Sequence, residues 1–142
     1  MTKFILGLAL LLTINSSVTA QCEKKIVLNS SKTEYLDASF TVQRTVDEVT
    51  VIEIINKEIT ITPGGSDNQM SGTINSDSCN WKTPWKEGKM VLNTTLVDPR
   101  GEAQNVKITI EGKEGKISLL AEIVDNPDRK VRVFADKFEE KK

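Results

Sequence analysis

Between residues 106 and 135 apolar side chains recur on every second position in three successive runs separated by turns, and no other feature constrains the fold of this chain so tightly. Successive side chains of a strand point to opposite faces, so strict alternation of apolar and polar residues describes a half-buried strand and spoils the face of a helix. Val106, Ile108 and Ile110 alternate with Lys107, Thr109 and Glu111. A Gly-containing reversal over residues 111–116 follows, after which Ile117, Leu119, Ala121 and Ile123 repeat the pattern. Asp125, Asn126, Pro127 and Asp128 form a further turn that leads into Val131, Val133 and Ala135. Three antiparallel strands joined as a meander are expected.

The same logic extends upstream. Asp98-Pro99-Arg100-Gly101 has Asp first, Pro second and Gly last, as a type I turn favours. Before it, residues 90–97 carry Met90, Leu92 and Leu96 on one side and Asn93 and Thr95 on the other. Asn56-Lys57 is a tight hairpin between strands at 49–55 and 58–62, which Pro63-Gly64-Gly65 closes. Residues 70–75 read as one more strand, Ile26 and Leu28 begin another, and residues 42–46 extend the hairpin that follows. Ser31 with Glu34 three residues later is a capping box, so residues 33–38 are either one helical turn or part of a β-hairpin with Tyr35 inward.

Eight or nine strands joined by short turns must expose their edges, pack as two sheets or close on themselves, and closure alone removes the edges. The expected fold is all-β, an antiparallel up-and-down meander forming a closed or nearly closed barrel, with a β-sandwich as the alternative. Glu139-Glu140-Lys141-Lys142 reads as a solvated tail.

The first 20 residues have another purpose. Lys3 supplies a positive start, residues 4–14 an apolar core, and Val18 and Ala20 the small residues preferred before a cut, so residues 1–20 are expected to be a signal peptide. The apolar run is short of the roughly 20 residues of a membrane span. Thr19-Ala20-Gln21 before Cys22 is not the tripeptide of a bacterial lipoprotein signal. The expectation is export to the periplasm or the exterior, with residues 21–142 as one β domain. Of the 19 basic residues only Lys3 lies in this leader, so the exported chain is mildly acidic, at about −2. It has no basic block interleaved with aromatics to follow a phosphate backbone, and no nucleic-acid or membrane partner is expected.

Export places Cys22 and Cys79 where thiols are oxidised, and they are expected to pair. Closing a loop of roughly 60 residues would contribute about 4 kcal/mol through the entropy of the unfolded chain. A metal-binding thiol is disfavoured because the chain has no histidine and no CxxC pattern. Without histidine no Ser-His-Asp or Cys-His arrangement can form. Carboxylates such as Glu111 and Glu122 read as solvated strand faces, and Asp125 and Asp128 as turn residues without the spacing of a calcium loop. The chain is therefore expected not to be an enzyme and to hold no metal or cofactor.

Both tryptophans lie in residues 79–88, a segment that does not read as a strand. Trp81 and Trp85 either line a ligand mouth or plug one end of the barrel; packing is favoured for Trp81, while Trp85, beside Pro84 and between two lysines, is open to both. Asn29-Ser30-Ser31 and Asn93-Thr94-Thr95 are glycan acceptors if the source is a eukaryotic secretory pathway.

A leader, one small domain of alternating strands, a Gly-containing turn before nearly every strand and one Cys pair together resemble small exported lipocalin-like, or calycin-type, proteins, and in a general way exported β proteins of Gram-negative bacteria. Residues 24–29 lack the Gly-x-Trp motif of lipocalins proper, and no site residue carries over. The resemblance implies an internal apolar pocket for a small hydrophobic molecule. The expected function is non-catalytic binding of such a ligand, with the Trp81 and Trp85 loop at one rim. The alternative is a structural or interaction module with a packed interior, presenting a strand edge or the Trp loop to a protein or glycan.

Overall fold

The structure is a computed structural model that describes residues 24–64 and 66–141. Residues 1–20, where a leader is expected, Cys22 and Gly65 lie outside the described residues. Nine strands occur among those described: β1 (Ile26–Leu36), β2 (Val42–Ile55), β3 (Glu58–Pro63), β4 (Met70–Thr83), β5 (Glu87–Val97), β6 (Ala103–Lys113), β7 (Lys116–Ile123), β8 (Lys130–Phe134) and β9 (Lys137–Glu140).

Each strand from β1 to β8 pairs antiparallel with the next, and β8 returns to β1, so the meander closes into an eight-stranded up-and-down barrel. Closure divides one edge of β1 between two partners. Its second half, Thr33 to Leu36, pairs with β8, while its first half, Ile26 to Asn29, pairs with β9. The chain crosses between these pairings at Ala135 and Asp136, whose amides donate to Ile117 O and Asn29 O, both at 2.8 Å.

The inward rows are aliphatic and the outward rows polar, because the pleat sends alternate side chains to opposite faces. Leu28, Ile54, Ile59, Leu92, Ile108 and Ile110 lie in the centre of one continuous core. Outward positions on β5 and β6 include Lys89, Asn93, Lys107 and Glu111. An eight-stranded barrel is just wide enough for side chains to fill it or for one small ligand to be held.

One reading left open is decided and two change. Residues 33–36 are strand, not a helical turn, because β2 and β8 give this segment backbone partners on both sides, and the Glu34 carboxylate accepts from Arg132 Nε at 3.0 Å. Strand β4 runs on to Thr83, so Cys79 and Trp81 belong to it. Its register with β5 slips between Ile74 and Ser76, which moves the inward set from even to odd positions and breaks the sequence period. Glu139 and Glu140 are not a free tail; they pair with Val27 and Ile26.

Candidate functional site at the mouth of the barrel

The up-and-down path gives the barrel two unlike ends. The base carries the β2–β3, β4–β5 and β6–β7 turns and strand β9; the mouth carries the other four connections.

The base is filled by aromatic rings. Trp81, 4% exposed, projects inward from β4, and Trp85 from the β4–β5 turn lies against it, ring centroids 5.7 Å apart and edge to face. Phe138 of β9 meets Trp81 at 5.7 Å and Trp85 at 5.5 Å. Gly88 makes room for this cluster: with φ at +143°, a Cβ there would fall 2.4 Å from Asn80 O and 3.0 Å from the Trp81 ring. Trp81 and Trp85 are thus brought together, at the end of the barrel remote from its apolar cavity. Cys79 is buried one inward position above Trp81, and no described cysteine is a free thiol.

The mouth is built differently. Toward it, Ala121 takes the place of a larger aliphatic residue on β7, and an apolar cavity of about 130 Å³ opens among Ile61, Met70, Leu96, Val106, Leu119 and Ile123. Above lies a vestibule of about 380 Å³ that shares Ile61, Met70, Ile123 and Val131 with the cavity. Its wall on the β1 and β2 side is polar, with Thr33, Tyr35, Glu48 and Thr50; Glu102, Gln104, Arg100 and Arg129 stand around its rim. Asp98 also reaches it, but its Oδ1 accepts the amides of Arg100 and Glu102, both at 2.9 Å, and so holds the β5–β6 turn.

A register shift places the polar wall. Ser30 faces Thr50 and Lys32 faces Asp47, so β2 has one residue more than β1 between these pairs. At this bulge Glu48 stays in the inward row that runs from Val46 through Thr50 to Ile52 and Ile54. Thr33 and Thr50 are 3% and 4% exposed. Thr33 Oγ1, Thr50 Oγ1 and Glu48 Oε1 are buried without a hydrogen-bond partner among the described residues. Sequence reasoning passed over these three. The signal was present in the even parity of Ile52 and Ile54, which carries a carboxylate at 48 onto the inner face.

The remaining candidates lie on the outer surface. Glu111 is exposed, Glu122 pairs with Lys130 at 3.1 Å, and Asn93 is exposed with its amide donating to Ser76 Oγ at 2.9 Å. No group of three or more metal-ligating side chains occurs among the described residues.

Comparison of the chain with protein-family models, with curated proteins and with solved structures finds no match. The closed antiparallel barrel is compatible with the outline of a lipocalin-like protein.

Proposed function

We propose that this chain is an exported, non-catalytic binding protein that holds a small hydrophobic molecule in the mouth of its barrel. One observation carries the reading: an apolar cavity of about 130 Å³ continuous with a vestibule at one end of the barrel, whose other end is filled by Trp81, Trp85 and Phe138. An engineered cavity of about 150 Å³ in another protein's core stays dry and binds benzene, so this volume suits a ligand whose apolar part is near benzene in size. Pockets of this composition are where small molecules are usually held. An interaction module with a packed interior has no use for such a void. In this reading Trp81 and Trp85 close the base and do not touch the ligand.

The reading includes cleavage after Ala20 and a Cys22–Cys79 disulfide. Two facts support the disulfide: Cys79 is not a free thiol, and β1 enters the barrel at the end where Cys79 sits.

The test is to titrate ethylbenzene into residues 21–142 produced in an oxidising compartment, following methyl resonances of Ile61, Leu119 and Ile123 by NMR. Saturable shifts confined to these residues are expected, and Ala121→Phe, which fills the cavity, should abolish them while the fold persists. Shifts that are absent, or equal in both proteins, would remove the mouth as the ligand site.

A further inference from the structure

Three buried oxygens on one wall of the vestibule have no protein partner, and one of them belongs to a carboxylate. Leaving such groups unmatched in a low-dielectric site is costly, so native structures satisfy them wherever chemistry allows. An ionised carboxylate only accepts hydrogen bonds, and each threonine hydroxyl accepts as well as donates. The wall is therefore short of donors.

We propose that the mouth takes an amphipathic amine: a small apolar end in the cavity and a protonated amino group received by Glu48 Oε1, Thr33 Oγ1 and Thr50 Oγ1. The proposal rests on the reading of the mouth as a small-molecule site. An ammonium brings three donors and the positive charge that Glu48 lacks, since no described cation lies within ion-pair distance of that carboxylate. An anionic head is disfavoured. It would meet Glu48 on the wall, whereas Arg100 and Arg129 at the rim are exposed and solvated.

The geometry fits a short ligand. Glu48 and Thr50 are successive inward residues of β2, and Thr33 faces Val46 across the bulge, so the three surround one stretch of wall. The vestibule that this wall bounds shares Ile61, Met70, Ile123 and Val131 with the apolar cavity, so the places for head and tail adjoin.

Calorimetric titration with four probes of one shape tests this: phenethylamine, phenethyl alcohol, phenylacetate and ethylbenzene. Phenethylamine is expected to bind at least about tenfold more tightly than ethylbenzene, with the alcohol between them and phenylacetate weakest. Glu48→Gln should reduce the amine's advantage to about twofold and leave ethylbenzene unchanged. Thr50→Val provides a second reading should Glu48→Gln fail to fold, and should lower the amine's advantage about threefold. Equal binding of amine and ethylbenzene, or tightest binding of phenylacetate, would overturn the amine assignment and leave the apolar site standing. Absence of binding by all four would overturn both.

Discussion

At the scale of single residues, the outer surface beside the barrel's closure has an unusual buried lysine. Lys130 is 7% exposed, donates to Glu122 at 3.1 Å, and lies 5.0 Å from the centre of the Phe40 ring. The pair sits directly opposite on β7 and β8, where cross-strand partners interact most strongly. Lys130→Ala leaves Glu122 without its partner and uncovers the underside of Phe40, and should destabilise the protein by about 1.5–3 kcal/mol in urea unfolding. Double replacement by Lys130→Met and Glu122→Gln should recover most of that loss, because a buried ion pair is often matched by apolar packing. Gly72 is the other sensitive position. A Cβ there would fall 1.9 Å from Thr95 O, so Gly72→Ala forces β4 and β5 apart and should cost about 3 kcal/mol, read as a lowered midpoint in the same assay. The sequence marks Gly72 as a glycine in a strand, but the approach that requires it comes from a strand more than 20 residues away.

At the scale of elements, β9 joins the aromatic base to the closure. Its side chains other than Phe138 are charged, so composition disguises it as tail; its strand character comes from the open lower edge of β1. Phe138→Ala removes the ring that contacts both tryptophans, and should destabilise by about 2 kcal/mol, with a red shift of tryptophan emission as the base admits water. An unchanged spectrum would show that β9 does not cover the base. The regular strands were legible because their alternation is uninterrupted: β6, β7 and the lower half of β2 read directly as period two. Apart from β9, the places where the reading was open or cut short lie beside register shifts. In β4 the shift hid Cys79 and Trp81 from the inward row, and in β1 and β2 it accompanies the polar wall at Thr33, Glu48 and Thr50. Bulges cluster at functional places because they re-aim side chains, and they leave no fixed mark in composition.

At the scale of the whole molecule, closure leaves β1 bonded on both sides and confines open edges mainly to β9, the lower part of β4 and the stretch of β2 from Val42 to Val49 that runs beyond β3. The pairing of β1 with β8 joins residues about 100 apart in sequence, a contact of high loop entropy, so folding is expected on the slow side of two-state barrels, in milliseconds to seconds by stopped-flow fluorescence. With the proposed disulfide formed, the start of the chain is tied to the base. Reduction should then lower stability by roughly 4 kcal/mol, and urea midpoints with and without reductant check this. Coincident midpoints would sink the disulfide.

The alternation of Val106 through Ala135, the Asp98 turn and the Asn56 hairpin determined without tertiary information that this chain is antiparallel β with an aliphatic inner face, because those signals act between near neighbours. The sequence also held both tryptophans within five residues of each other, which made their meeting foreseeable. Which end they close, where the core stops being filled, and which polar side chains look into the void were decided only by the tertiary structure. Each depends on register between strands distant in sequence, and a shift of one residue in that register exchanges the inner face for the outer.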